Sequence, residues 1–139
     1  MRSLIVFVYL SCCICTAFGA DQTLQPKQKT DAFFSLIKSG KIEQAYSDLV
    51  EDSELMKQQV SALQVLQTQT ETALKIYGSV ISYELVYEEQ LSLSVTRLVY
   101  FLNHEKQPTN WEFYFYNPKG KWFLSQITFG DQYQYLGRK

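Results

Sequence analysis

The residues that could carry acid–base or metal chemistry in this 139-residue sequence are few and scattered. Its one histidine, His104, opens the polar loop HEKQPTN, where a solvated side chain is expected and no second histidine could complete a metal site. Glu88 and Glu89 are neighbours in a segment typical of a β-strand, so they point to opposite faces and cannot act as paired acid and base. The acidic run EDSE, at 51–54, is explained by helix capping. The sequence therefore predicts no catalytic residue, no metal site and no cofactor.

All three cysteines lie close to the N-terminus: Cys12, Cys13 and Cys15. They belong to a segment with one positive charge, the apolar run LIVFVYL and small residues before Asp21, which predicts a secretory signal peptide at 1–19. We expect cleavage after Gly19, with cleavage after Ala20 as the alternative, and an exported chain that is periplasmic or secreted. An uncleaved anchor and a lipoprotein are less favoured, because the apolar run is shorter than the roughly 20 residues that span a bilayer and Cys12 comes too early.

The rest of the chain has the size of one domain and no nucleic-acid-binding character. Roughly 120 residues follow the predicted signal peptide, enough for a single hydrophobic core. The formal net charge of the whole sequence is −1, with both signs scattered and no basic stripe. No later segment is long and apolar enough for a transmembrane helix. The predicted organisation is a flexible lead-in at 20–29 followed by one domain at 30–139.

The first half of this domain has helical periodicity. Thr30 is the expected N-cap of a first helix, and Gly40 follows its end, where a left-handed glycine is common. A third, longer helix is expected to run from the capping segment 51–54 to Tyr77, just before Gly78. Between them, a second helix has its apolar residues at helical spacing: Ile42, Ala45, Tyr46, Leu49 and Val50.

The second half alternates apolar and polar residues and is rich in aromatic and branched side chains, which favours β-strands. The predicted strands lie near 80–89, 93–103, 110–116 and 121–129. Helices first and strands afterwards indicate an α+β fold, in which the N-terminal helices pack on one face of a curved four-stranded antiparallel meander sheet.

The turn NPKG, at 117–120, predicts the pairing of the last two strands. In the expected register Tyr116 lies opposite Trp122, and Phe115 lies opposite Phe123. Strict alternation then assigns one set of residues to the core: Trp111, Phe113, Phe115, Phe123, Ile127 and Phe129. It assigns a second set to the outer face, which points away from the helices: Glu112, Tyr114, Tyr116, Trp122, Leu124 and Gln126.

The outer face is also expected to carry a polar stripe across the sheet. The same alternation adds Glu84 and Arg97 to Glu112 and Gln126. Arg97 is then either a surface rung between Glu84 and Glu112 or a buried anion-binding group. The stripe is accordingly either a solvated ladder of charges or, together with the neighbouring rings, a surface for a partner or a second copy.

The order and composition of these segments are similar to those of a known superfamily. Two or three helices ending in IYG, followed by SVISYELVYEEQ, VTRLVYFLNHEK and WEFYFYNPKGKWFLSQITF, resemble the cystatin-like α+β rolls of the nuclear transport factor 2-like (NTF2-like) superfamily, in particular its short exported bacterial members. The resemblance covers nearly the whole mature chain and includes no catalytic motif. It implies a strongly curved sheet wrapped round the long helix, with a cone-shaped cavity between them. Enzymes of the superfamily place Asp, His or Tyr in that cavity.

These observations lead to three hypotheses of function, the last of which involves no ligand. The first is an exported, non-catalytic domain that binds a small apolar ligand or a protein partner, or forms a homodimer through its sheet. Its predicted binding residues are Tyr83, Glu84, Tyr87, Arg97, Tyr100, Glu112, Tyr114, Tyr116, Trp122 and Gln126, of which Tyr83, Tyr87 and Tyr100 are expected towards the cavity. The alternative is an isomerase-like or dehydratase-like enzyme, which requires His104 or Glu84 inside the cavity. A structural accessory of the cell envelope is the third.

Overall fold

The computed structural model describes residues 24–137, and the predicted signal peptide at 1–19 lies outside this range. The described part of the chain contains four α-helices: α1 (Pro26–Lys38), α2 (Ile42–Val50), α3 (Glu54–Gln58) and α4 (Val60–Tyr77). They are followed by four strands and a short 3-10 helix: β1 (Val80–Ser92), β2 (Val95–His104), β3 (Pro108–Tyr116), β4 (Phe123–Gly130) and the 3-10 helix Tyr133–Gly137.

Helix α1 begins at Pro26, so the predicted N-cap at Thr30 is wrong and residues 26–29 are helical rather than a flexible lead-in. Proline suits the first helical position because its fixed φ is already helical. Thr30 is buried within the helix, where its hydroxyl donates to the Lys27 carbonyl at 2.9 Å and therefore accepts from the Tyr100 hydroxyl at 2.8 Å. Lys29 is also buried, and its ammonium contacts Asp52 at 2.7 Å.

The other helices agree in part with the prediction. All five apolar residues of the predicted α2 stripe are buried, which confirms that face. The predicted long third helix is two helices, because Gln59 leaves the helical conformation (φ −87°, ψ 51°) between α3 and α4. The side chain of Ser53 caps α3 by accepting from the Met56 backbone N–H, and Gly78, with φ 90°, ends α4 as expected.

The four strands form one antiparallel sheet in the order β1-β2-β3-β4. This confirms the predicted α+β class and the meander. The helices cover one face of the sheet, and their apolar residues pack against the strand residues that point towards them. β1 is longer than predicted, and in the part of the chain that the structure describes it forms one edge of the sheet while β4 forms the other.

The predicted pairing of β3 with β4 is wrong by one residue at the turn. Tyr116 lies opposite Phe123, and Phe115 lies opposite Leu124, because the connection between the strands runs through Trp122. Leu124 is consequently buried in the core rather than exposed on the outer face. Phe123 lies on the outer face, where its ring meets that of Tyr116 edge to face at 5.5 Å.

A bulge at Ser125 shifts this register once more, so that Tyr114 lies opposite Gln126 and Phe113 lies opposite Ile127. The second shift returns Gln126 to the outer face and Ile127 to the core, as predicted. Trp122 precedes the strand and packs against the core, so its predicted place on the outer face is wrong. Turn sequence alone could not show the bulge that produces the second shift.

Aromatic rings fill the space between α1 and the sheet. Phe33 lies 5.2–5.6 Å from the rings of Tyr46, Trp111 and Phe113, in edge-to-face arrangements. All four residues are almost fully buried. Edge-to-face contacts at these distances are favourable beyond the burial of area. The space between α1 and the sheet is therefore occupied by side chains.

Candidate functional site

Three bulges interrupt the pairing of β1 with β2. The register skips Ile81, Val86 and Leu91, which are spaced five residues apart. The residue before each of them lies opposite a core-facing residue of β2. The residue after each of them lies opposite an outer-face residue of β2. Bulges of this kind increase the local twist and bend the strand, so their repetition curves this edge of the sheet. The three aliphatic side chains are 58%, 45% and 50% exposed; we call them the bulge row.

The bulge at Val86 reverses the alternation of side chains along β1. Tyr83, before the bulge, lies opposite Leu102 and stacks on Phe34 at 5.0 Å on the core side. Tyr87, after the bulge, lies opposite Val99 on the outer face, so its predicted orientation towards the cavity is wrong. Alternation along the sequence predicted the wrong face for Tyr87, because a bulge adds one residue to the strand and reverses the orientation of the residues after it.

Arg97 is a half-buried rung of the outer face, but its second carboxylate partner is not the predicted one. Its Nε atom donates to Glu112 Oε2 at 3.1 Å and its Nη2 atom lies 3.1 Å from the same oxygen, while Nη1 donates to Glu89 Oε2 at 3.5 Å. Glu84 was predicted in the place of Glu89. The guanidinium also lies 5.9 Å from the centre of the Tyr87 ring, within the range of a cation–π contact.

The electrostatics of this rung follow from its partial burial. Burial by itself lowers the pKa of Arg97, but the charge and hydrogen bonds of Glu112 outweigh it and raise that pKa above its ordinary value. The Tyr114 hydroxyl donates to Glu112 Oε2 at 3.2 Å, and burial together with the Glu112 charge raises the pKa of Tyr114. Both groups therefore keep their protons at neutral pH, so Arg97 is a fixed cation between two carboxylates.

Glu84 is on the outer face, as predicted, but it does not reach Arg97. It lies opposite Phe101, and its Oε1 atom accepts from the Asn103 side-chain amide at 3.3 Å. Glu84 also faces away from the interior that the enzyme hypothesis requires. Tyr100 faces the core and is buried, and Tyr116 is exposed at the end of the sheet.

A cleft of about 460 Å³ lies on the outer face beside Arg97. One wall is made by Val86 and Tyr87 of β1, and another by Leu136 of the C-terminal 3-10 helix. The same helix places the Tyr133 ring edge to face on Phe101 at 5.9 Å. Sequence reasoning missed this segment, because a five-residue 3-10 helix is too short for a periodic signal.

His104 is buried, 6% exposed, so the predicted solvated side chain is wrong. Its Nδ1 atom lies 3.1 Å from the Gly78 carbonyl oxygen and its Nε2 atom 3.2 Å from the Thr109 hydroxyl. A carbonyl can only accept, so Nδ1 carries the proton, and Nε2 of the neutral ring accepts from Thr109. The Thr109 oxygen in turn accepts from Trp111 Nε1 at 2.9 Å. Burial lowers the pKa of His104, which favours this neutral form.

Two further findings concern metals and membranes. Within residues 24–137, no group of three or more His, Cys, Asp or Glu side chains could hold a metal ion. None of the helices in the same range is long and apolar enough to cross a membrane.

Comparison with known proteins shows the fold. No protein-family model and no curated protein matches the chain. A solved structure that matches is a protein from Campylobacter jejuni described as a "Putative NTF2-like transpeptidase". The two chains are 15% identical, the TM-score is 0.54, and the match covers 73% of this chain and 97% of the other. At this identity the likeness shows the fold alone: the chain has the NTF2-like α+β fold that its sequence resembles.

Proposed function

We propose that this chain is an exported, non-catalytic interaction domain that binds an extended polypeptide partner along the bulge row and the adjoining outer face. The bulge row carries this proposal. Soluble domains usually protect a free sheet edge with charged residues, proline or bulges. Here bulges interrupt the backbone ladder, yet the residue at each of them is an exposed aliphatic side chain: Ile81, Val86 and Leu91.

The length of the bulge row favours a polypeptide over a small apolar ligand. Ile81 and Leu91 are ten residues apart, and an extended chain advances about 3.3 Å per residue, so the row is about 30 Å long. A small molecule could fill the cleft beside Arg97 but could not cover the whole row. Exposed apolar patches rimmed by polar groups are typical of protein interaction surfaces.

The charges next to the bulge row indicate what the partner carries. Among residues 24–137, Glu84, Glu89 and Glu112 lie on the outer face, and the guanidinium of Arg97 is bonded to two of them. The described residues of this face are therefore more negative than positive. A partner segment with aliphatic residues and flanking lysine or arginine side chains would be complementary in both respects.

We do not extend the transpeptidase activity in the neighbour's description to this chain, and we do not propose the isomerase-like or dehydratase-like alternative. The sequence has one histidine, and both ring nitrogens of His104 already have partners in Gly78 and Thr109.

Export is supported by the signal-peptide pattern at 1–19, and the mass of the protein recovered from an envelope fraction tests it. A chain that begins at Ala20 or Asp21 is expected; an unprocessed chain would contradict export with cleavage.

The proposed binding is tested with a library of random 15-residue peptides displayed on phage and selected on the chain from Ala20 onward. We expect enriched peptides with aliphatic and basic residues. The double variant Val86→Ser/Leu91→Ser should lose at least about tenfold in affinity for them, since two buried contacts are removed. The matched control is Val65→Ser on α4, which changes a residue of similar exposure (54%) and should bind as the unmodified chain does.

Two outcomes would overturn the proposal. If the double variant binds the same peptides with unchanged affinity, or if no peptide is enriched on the unmodified chain, the bulge row does not bind a polypeptide partner. If light scattering shows a dimer that Val86→Ser/Leu91→Ser converts to a monomer, the occupant of the row is a second copy instead.

A further inference from the structure

A second cleft, of about 350 Å³, lies between the last turns of α4 and the adjoining parts of β3 and β4, away from the bulge row. Its apolar walls include Ile76 and Phe129, and the ring of Tyr77 adds an aromatic surface. Asp131 follows β4 and supplies a carboxylate at the rim. The volume is within the range of small-molecule sites.

The hydroxyl hydrogens at this cleft are committed to other groups. The Tyr77 hydroxyl donates to Asp131 Oδ2 at 2.6 Å, and the Thr72 hydroxyl donates to the Thr68 carbonyl at 2.8 Å. The Thr109 hydroxyl donates to His104, as the tautomer of that ring requires. Each hydroxyl has only one hydrogen. These hydroxyl groups therefore present oxygen lone pairs to the cleft and can only accept from a ligand, whereas the side-chain amide of Gln69, which also lines the cleft, can donate or accept.

The charge at the cleft also favours a ligand that donates hydrogen bonds. Asp131 uses one carboxylate oxygen for Tyr77, and in the described part of the chain its other oxygen has no hydrogen bond or ion pair. The nearby ammonium of Lys106 donates to the Ile76 carbonyl at 3.1 Å and does not line the cleft. A ligand that enters thus meets one negative charge, acceptor oxygens, the neutral amide of Gln69 and two aromatic rings, Tyr77 and Phe129.

We propose that this cleft binds a small organic ammonium ion with an apolar body. The charged N–H groups would donate to Asp131 and to the Tyr77 oxygen, and such charge-assisted hydrogen bonds are stronger than neutral ones. The apolar body would lie against Ile76 and Phe129, where an aromatic face also attracts a cation. A carboxylate ligand of the same size is disfavoured, because it offers no donor and repels Asp131. This site is independent of the proposed binding at the bulge row.

The test uses 2-phenylethylammonium, with 3-phenylpropanoate as the anionic probe of similar size, in ¹⁵N-labelled chain followed by NMR. We expect the ammonium to shift the amide signals of Tyr77, Gly130 and Asp131, and the carboxylate to leave them in place. Asp131→Asn keeps an acceptor for the Tyr77 hydroxyl but removes the charge, and it should weaken binding at least about tenfold. Glu43→Gln, at an exposed position of α2, is the matched charge control and should bind as the unmodified chain does.

Three results would overturn the inference: no shifts up to the solubility limit of the ammonium, equal binding of the carboxylate, or unchanged affinity in Asp131→Asn. The thermal unfolding midpoint of each variant is measured alongside, so that a loss of binding is counted only for a folded chain. If Asp131→Asn unfolds, Asp131→Ser supplies the same comparison. Failure here leaves the peptide selection at the bulge row unaffected, because the two experiments use different probes and residues.

Discussion

At the scale of single residues, His104 shows how one neighbour fixes the state of a side chain. A histidine beside a polar loop is more often solvated than buried, and the sequence offered no reason to depart from that expectation. The loop folds back on the end of α4, where the Lys106 backbone N–H donates to the Tyr77 carbonyl at 2.9 Å. This brings His104 against Gly78, and the carbonyl of Gly78 then determines which ring nitrogen carries the proton.

We expect the stability of the chain to fall as the pH drops from about 7 towards 5. The folded-state pKa of His104 is lowered from its ordinary 6.5, so between the two values the unfolded state binds more protons and folding weakens. The midpoint of urea unfolding measures this. In His104→Gln the fall in stability over that range should be smaller. Asp52 contributes only at lower pH, because hydrogen bonds from Lys121 and Lys29 hold its pKa below the ordinary 3.8. An identical fall in both proteins would show that His104 does not cause this pH dependence.

At the scale of elements, the glycines after α1 and α4 were predictable as helix ends, but their surroundings were not. Gly40 and Gly78 both have positive φ, which residues with a Cβ adopt only at a cost. A Cβ at Gly40 would meet no atom within 4 Å, whereas one at Gly78 would meet the side chain of Glu105 from the β2–β3 loop. Gly78 also combines φ 90° with ψ −174°, a region occupied essentially by glycine alone.

Substitution of these two glycines by alanine should therefore have unequal effects. Gly40→Ala is expected to lower the free energy of unfolding by about 1–2 kcal/mol, from backbone strain alone. Gly78→Ala should lower it further, because the backbone region is less accessible and the Glu105 side chain must move. Chemical denaturation gives both values, and Gly78→Ala/Glu105→Ala should recover only the part of the loss that the Glu105 carboxyl group causes. Equal losses at the two glycines would show that the contact with Glu105 has no energetic effect.

In the strands, alternation along the sequence predicts the face of some residues and fails for others. Alternation placed Glu84 and Glu112 on the outer face correctly, and it placed Gln126 there because the shift at the turn and the bulge at Ser125 cancel each other. It failed at Tyr87 and Leu124, which follow a bulge and a longer turn respectively. A single extra residue inverts every later assignment on a strand.

At the scale of the whole molecule, the aromatic cluster joins the helices to the sheet. Phe33 of α1 contacts Tyr46 of α2 as well as Trp111 and Phe113 of β3. Neither layer can bury its apolar face without the other, so we expect helices and sheet to unfold together.

Phe33→Ala should lower the free energy of unfolding by about 3–5 kcal/mol, since it leaves a cavity in the centre of this cluster. Leu93→Ala, which truncates an apolar side chain that is 94% exposed, is the control and should change it by less than about 0.5 kcal/mol. Far-ultraviolet circular dichroism reports the helices, and tryptophan fluorescence reports the sheet side of the cluster. Coincident transitions are expected in every variant, and loss of the helical signal before that of fluorescence would show two separate units.

The sequence by itself determined the α+β class, the order of the elements, the ends of α1 and α4, and the core role of Trp111, Phe113 and Phe115. These depend on periodicity, composition and glycine chemistry, which act over a few neighbouring residues. Only the tertiary structure decided the burial of His104, the pairing of Arg97 with Glu89, the bulge row and the cover that the 3-10 helix provides. Each of these depends on which distant residue lies opposite, and that is set when the sheet curves and the layers pack.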